Sequence, residues 1–307
     1  MIGIDVGGAN LKVVDEAGVH IHYCPLWKES PLAEIIAQYK DAGSAAVVMS
    51  GELADGFFDK NEGIAFIVDA VRKTFPDAQF YGMDGKFHSG ACRELAAANW
   101  LASVAYLRRL YPNGLLLDIG STTADIVPLK DFEKLIGLTD TLRLQQGYLV
   151  YTGMLRTPVA TLASSATING VRTPFSTEYF ACSGDANFVL GHISAEEYTA
   201  ATPDGKEVSR EACLRRLART VCADLEEIGE EGAVAVADVF WEAQKKRVCE
   251  ATLKAKIINR ADTVVVGGIG SKTFAPLVGG IDLTSALGMP ADALPAFAVR
   301  EIALDEK

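Results

Sequence analysis

The sequence predicts an α/β protein of two similar halves, each a mixed sheet covered by helices, facing each other across a cleft. Two observations carry this. A three-strand meander opens the chain and strand–helix units follow it, the pattern of a mixed sheet with helices on its faces. The opening pattern then returns: "LLLDIGSTTADIV" at 115–127 repeats the apolar run, the aspartate, the glycine two residues later and the second apolar run of the first fourteen residues. Setting Asp5 on Asp118 places Gly7 on Gly120, Val13 on Ile126 and Val14 on Val127.

The elements follow in order. Residues 2–6 and 11–14 form a hairpin around Gly7-Gly8, and 20–23 a third strand. Ser30-Pro31 is expected to open a helix, with serine as N-cap and proline at the first position, burying Leu32, Ile35, Ile36 and Tyr39 and ending at Gly43. Residues 45–49 read as a buried strand, 61–75 as a helix, 79–81 as a strand and 91–111 as a long Ala-rich helix stopped by Pro112-Asn113-Gly114. After the repeat, residues 128–180 are less regular and read as an elaboration of the second half where substrate specificity would sit. A single amphipathic helix is expected over 209–228, striped by Leu214, Leu217, Val221, Leu225 and Ile228 and closed by Gly229, then a second over 233–260. "TVVVGGIGS" at 263–271 is a buried strand entering a glycine loop. The domain expectation is therefore 1–112 for the first half, joined by 288–307, and 113–287 for the second.

The chain has 307 residues, 49% of them hydrophobic, which supplies a sizeable core. No run reaches the roughly 18 apolar residues of a membrane span, and the start lacks a secretory pattern, so the expectation is a cytoplasmic protein with no membrane partner. A net charge of −11 without a compensating Lys/Arg run argues against nucleic acid. Six scattered cysteines without a C-x-x-C pair read as free thiols. Trp27, Trp100 and Trp241 read as core or interface aromatics, with no stacking platform expected. His20 and His22 share a strand face but lack a third ligand nearby, so they read as solvent-facing.

Three strand-then-glycine elements, near residues 5, 118 and 267, fit one chemical scheme. Glycines let a backbone approach an anion and turn N–H groups toward it. The expected anion sites are Gly7, Gly8, Asn10, Gly120, Ser121, Thr122, Gly267, Gly268 and Gly270. Asp5 and Asp118, one from each half, would hold Mg²⁺, a hard cation that keeps several waters beside phosphates. Lys12 adds a positive charge, although in an alternating strand a lysine is more often a surface charge.

These three motifs, in this order, resemble the two phosphate motifs and the adenosine motif of the sugar kinase, actin and heat-shock-chaperone superfamily, which implies an actin-like (ribonuclease H-like) ATPase fold. "DIGSTTAD" at 118–125 further resembles the hydantoinase A and oxoprolinase branch. Narrower still, "IGIDVGGANLK" at the start, "SGELADGF" at 50–57, "LVYTGMLRTPV" at 149–159 and "DANFVLG" at 185–191 are similar to short proteins linked to tetrahydromethanopterin one-carbon metabolism in methanogenic archaea and methylotrophic bacteria. That resemblance covers essentially the whole chain. It implies a step of methanofuran biosynthesis, in which (5-(aminomethyl)furan-3-yl)methyl diphosphate is joined to the phenol of γ-glutamyltyramine as an aryl ether, with diphosphate released and Mg²⁺ required.

Under that implication Glu52 and Asp125 are candidate bases for the phenol, with Lys12 beside them, and Tyr151, Arg156 and Asp185 are candidate substrate residues. Plain turn or loop roles for each stay open. Ala9 stands where sugar kinases often place a threonine, which weighs against phosphoryl transfer from ATP. Nucleotide binding at 267–270 stays open, as does a homodimer. The competing readings are an ATP-dependent small-molecule kinase and a nucleotide-sensing scaffold.

Overall fold

A computed structural model describes residues 1–288 and 291–306. Residues 289, 290 and 307, within the segment expected to join the first half, lie outside the described residues. The first half comprises strands β1 (Ile2–Val6), β2 (Asn10–Val14) and β3 (Val19–Tyr23), helix α1 (Leu32–Ala37), β4 (Ala45–Met49), α2 (Lys60–Arg72), β5 (Gln79–Tyr81), β6 (Phe87–His88) and α3 (Asn99–Leu110). The second begins with β7 (Gly114–Ile119), β8 (Ala124–Pro128), α4 (Asp140–Gln146), β9 (Leu149–Val150) and the hairpin β10 (Ser165–Ile168) and β11 (Val171–Pro174). It continues with α5 (Ser183–Val189), α6 (Arg210–Arg219), α7 (Leu225–Asn259), β12 (Thr263–Gly267), α8 (Ser271–Val278), β13 (Ile281–Asp282) and α9 (Leu283–Leu287), and α10 (Leu294–Asp305) follows.

One sheet runs β3-β2-β1-β4-β5-β6 and the other β13-β12-β7-β8-β9. Read from the opposite edge, the second repeats the first, with β7 for β1, β8 for β2 and β12 for β4. The register repeats as well. Asp5 stands opposite Lys12, Ile4 opposite Val13 and Gly3 opposite Val14. Asp118 stands opposite Asp125, Leu117 opposite Ile126 and Leu116 opposite Val127.

Strand alternation decides which side chains reach the cleft. Ile2, Ile4 and Val6 enter a core with Leu32, Ile36, Ile67 and Val71 of α1 and α2. Leu115, Leu117 and Ile119 enter another with Phe240 and Val236 of α7. The opposite faces share a third core, where Ala46 and Val48 meet Leu116 and Val265 around Trp100, Leu101, Leu294 and Val299 of α3 and α10. Asp5, Lys12, Asp118 and Asp125 lie on these inner faces by the same alternation.

Three local expectations are corrected. The helix expected over 91–111 begins only at Asn99, because Ala97 takes a left-handed backbone (φ 52°) and the Ala98 N–H donates to the Met49 carbonyl at the end of β4. The single helix expected over 209–228 is two: Cys222 is left-handed (φ 58°), and Asp224 caps α7 by accepting from the Glu227 N–H at 2.8 Å. Gly229 then breaks α7 near its start, with φ 67° and ψ 175°. Ser30 does not cap α1; its hydroxyl lies 3.5 Å from the Cys24 thiol, and Pro31 takes the N-cap position.

Candidate active site

Each half offers a tight turn after its first strand, closed in the same way. The Gly7 N–H donates to the Asn10 carbonyl at 3.0 Å and the Gly120 N–H to the Thr123 carbonyl at 2.9 Å. These two glycine N–H groups, expected to face the anion, are therefore spent on closing their turns. Among the described residues no acceptor receives the N–H groups of Gly8 and Ala9 in one turn or those of Ser121, Thr122 and Thr123 in the other.

Asp5 is 4% exposed, and its Oδ1 is buried without a hydrogen-bond partner. Burial pushes its carboxyl up to about 6, opposed by the Lys12 ammonium and reinforced by Asp292. Asp118 is pushed up to about 6 for the same first reason, with Lys12 lowering and Asp5 and then Asp292 raising it. Two carboxyls pushed up around one ammonium, Asp118 partly by Asp5, form a site short of positive charge. Lys12 donates to the Asp292 carbonyl. Sequence reading missed Asp292, which carries no motif and reaches the site only because residues 291–293 lie between the inner faces of the two halves.

The glycine loop after β12 has a different task from the one expected. Gly268 has φ 78°, and a Cβ there would lie 2.2 Å from the Ile119 carbonyl oxygen and 2.5 Å from Asp118 Oδ1. Its N–H donates to Ala291 and that of Gly270 to Ile119, so these amides are not turned to a ligand. The loop packs against Asp118 instead. Gly267 is the register partner of Asp118 in the parallel pair.

Glu52 is 2% exposed and held from both sides by close backbone packing. A Cβ on Gly51 would lie 2.7 Å from the Gly7 carbonyl oxygen, and one on Gly63 only 2.0 Å from the carbonyl oxygen of Glu52 itself. Its Oε1 lies 3.5 Å from Lys60 Nζ, while Oε2 is buried with no partner. Burial pushes this carboxyl up; Lys60 pulls it down and Asp140, from the second half, pushes it up. Trp100 Nε1 and Arg143 Nε are also buried without partners.

Asp125, the other expected base, is committed elsewhere. Arg143 ion-pairs with it and with Asp140 at 2.9 Å, and stacks over Trp100 with its guanidinium carbon 4.4 Å from the ring centroid. Asp185 is likewise removed from the substrate: it is fully buried, paired with Arg216 at 2.7 Å, accepts from Tyr198 at 3.1 Å and caps α5 through the Cys182 N–H. Its neighbour Asn187 donates to the Met154 carbonyl at 2.9 Å and so supports the 151–157 loop from below. Gln244, Thr152 and Thr157 hold that loop from inside. The loop sits on the second turn, with Met154 N–H on Gly120 and the Leu155 and Arg156 N–H groups on Ser121. Tyr151 is 62% exposed at the loop's start, and Arg156 lies over Trp27 at 4.8 Å. Asn10 reaches Thr199 of the second half at 3.4 Å. Trp100 is a core aromatic, as expected, and Trp100 and Trp27 each carry an arginine on the ring face.

The described residues hold no group of three or more His, Cys, Asp and Glu placed to bind a metal, and no helix long and apolar enough to cross a membrane. Asp5, whose Oδ1 is buried without a partner, and Asp118, whose carboxylate pairs with no side chain of the described residues, fit a hydrated divalent cation such as Mg²⁺, which takes few protein ligands.

A family model of hydantoinase/oxoprolinase matches residues 44–299. A solved nucleotide-free acetone carboxylase shares the fold, with a TM-score of 0.51 at 11% identity over 97% of this chain and 69% of that one. The architecture is an actin-like α/β fold, and the class is that of the hydantoinase/oxoprolinase proteins. A protein of Methanocaldococcus jannaschii is 36% identical over 281 residues, 87% of this chain and 85% of its own, and is named (4-{4-[2-(γ-L-glutamylamino)ethyl]phenoxymethyl}furan-2-yl)methanamine synthase. A Methanococcus vannielii protein of the same name is 32% identical over 160 residues, 52% of this chain and 72% of its own. Within its class, the chain belongs to this family of synthases, and the family is one of enzymes.

Proposed function

We propose that this protein forms the aryl ether of methanofuran biosynthesis, joining (5-(aminomethyl)furan-3-yl)methyl diphosphate to the phenol of γ-glutamyltyramine. The observation that carries the reading is the pair of in-register turns, each with a carboxyl on its inner face and N–H groups that meet no acceptor among the described residues. It suits a diphosphate better than an uncharged ligand.

In this reaction the bond between the furylmethyl carbon and the diphosphate oxygen breaks, and its electron pair leaves on diphosphate. The phenol oxygen forms the new bond to that carbon and gives up its proton. Gly8, Ala9, Ser121 and Thr122 donate to the leaving group, and Lys12 neutralises part of its charge, the kind of preorganised electrostatics that contributes most in active sites. Asp5 and Asp118 would hold a divalent cation, which supplies charge neutralisation to the departing diphosphate. Glu52 is the base. Its unpartnered Oε2 is free to accept, and burial brings its affinity for a proton closer to neutral pH, where a general base works best. Ala9 and the engaged N–H groups of Gly268 and Gly270 weigh against an ATP-first reading.

The test is mass spectrometry of the purified protein with both substrates and Mg²⁺, with and without ATP. An ether of the combined mass formed without ATP supports the proposal. ATP consumption that needs a different acceptor, with no ether, returns the protein to the kinases.

A further inference from the structure

Beside the two turns, the halves also meet through a cation–aromatic contact whose parts occupy corresponding places. The offset that sets Asp5 on Asp118 also sets Gly8 on Ser121. The Gly8 carbonyl accepts from the Leu26 N–H at 2.9 Å, and the Ser121 carbonyl accepts from the N–H groups of Leu155 and Arg156 at 3.0 Å each. Each turn therefore grips an irregular segment of its own half, and Trp27 from one segment meets Arg156 from the other at 4.8 Å.

Arg156 differs from the other arginines near the cleft. Arg143 pairs with Asp125 and Asp140, and Arg216 with Asp185 and Asp204. No carboxylate of the described residues pairs with Arg156, in a chain whose net charge is −11. Stacking on an indole uses the face of the guanidinium and leaves its in-plane N–H donors free for a planar or tetrahedral oxyanion. Its main chain is fixed on the Ser121 turn, and the Gln244–Thr152–Thr157 network fixes the loop that carries it. A rigidly mounted, stacked guanidinium without a carboxylate partner is organised to receive an anion from outside the chain.

We propose that Arg156, laid on Trp27, is the oxyanion receptor beside the two turns, and that its loaded state holds the two halves together around bound substrate. The inference rests on the transferase reading above. Two oxyanions of that reaction have the required chemistry: the terminal phosphate of the diphosphate and the carboxylate of the acceptor's glutamyl group. Arg156 acts on either as a binding and positioning group and transfers no proton.

The experiment titrates the full chain and the Arg156→Gln, Arg156→Lys and Trp27→Phe variants with inorganic diphosphate plus Mg²⁺, and separately with γ-glutamyltyramine and with tyramine. Binding is read by calorimetry and by tryptophan fluorescence, and folding by thermal melts. If the phosphate is the ligand, Arg156→Gln weakens diphosphate binding about 10- to 100-fold and leaves the preference for γ-glutamyltyramine over tyramine intact. If the carboxylate is the ligand, the same variant erases that preference and leaves diphosphate binding intact. In either case lysine restores more than glutamine, because charge is what matters, and a quench or shift of fluorescence that the ligand produces in the parent is lost in Trp27→Phe. Unchanged affinities for all three ligands, or equal behaviour of the Gln and Lys variants, overturns the inference. A parent protein that binds no diphosphate contradicts the transferase reading, and the comparison of the two amines then still decides the role of Arg156.

Discussion

The two halves share a backbone and divide the chemistry. Both present a strand, a carboxylate and a tight turn closed by the same hydrogen bond, with the same register against the next strand. The residue opposite the carboxylate differs. Lys12 faces Asp5 and leans toward the site, whereas Asp125 faces Asp118 and is locked by Arg143. The parallel strands diverge in the same way: β4 leads to a buried glutamate with a free oxygen, and β12 leads to a glycine that packs against Asp118. The first half thus carries the lysine that lowers both carboxyls and a buried glutamate with an unpartnered oxygen, and the second carries the glycine packed against Asp118 and the loop that covers the turn. A repeated fold fixes where carboxylates stand, while the side chains opposite them decide whether they react.

The sharpest way to break this comparison is to remove one charge from each half. Glu52→Gln should lower kcat by about 10²- to 10⁴-fold with a melting temperature near that of the parent. Asp125→Asn should do the reverse, weakening a buried ion pair and lowering stability by about 3 kcal/mol while the folded fraction keeps its turnover. Equal losses of kcat in the two variants would mean that the halves share the base. Asp185→Asn is expected to cost about 3–5 kcal/mol on a denaturant curve and to leave KM for both substrates unchanged, since its partner is Arg216 and not a ligand. A selective rise in one KM would return Asp185 to the site.

The turn glycines give a smaller contrast. Gly8→Ala meets no atom within 4 Å and should leave the melting temperature within a degree or two, whereas Gly268→Ala places a Cβ 2.2 Å from Ile119 O at positive φ and should cost about 1–3 kcal/mol. The smallest expected effect concerns pH. Burial holds Asp5 and Asp118 at about 6, above their unfolded values, so the fold favours their protonated forms and loses stability as pH rises from about 4 to 6. Mg²⁺ binds the ionised pair, so it should raise the melting temperature by a few degrees at pH 8 and by almost nothing at pH 5. An increment of equal size at both pH values would remove the pair as the ion's ligands.

Much of this architecture was legible because it is written twice. The Asp5–Asp118 alignment predicted which residues of the two halves correspond, and the strand pairing repeats in the same places, with Asp5 opposite Lys12 and Asp118 opposite Asp125. The extents of α3 and the α6–α7 break were not legible, because they depend on left-handed Ala97 and Cys222, residues that seldom take that conformation. The Asp224-x-x-Glu227 spacing did carry a cap signal for the second break. At the site, the residue types were readable and their partners were not. Asp125 and Glu52 look alike in sequence; Arg143, eighteen residues from Asp125, and Gly63, eleven from Glu52, decide that one is neutralised and the other left with an unpartnered oxygen. Asp292 carries no motif at all.

The central claim is that Asp5 and Asp118 act as one device built from both halves. The direct measurement is the rate of diphosphate release in ATP-free buffer by the parent, Asp5→Asn, Asp118→Asn and the double variant. Each single substitution should lower kcat/KM by about 10²- to 10³-fold, and the double variant should be little worse than either single, because half of a shared ion site is no site. Losses that multiply in the double variant, or a single variant that retains full turnover, would contradict it.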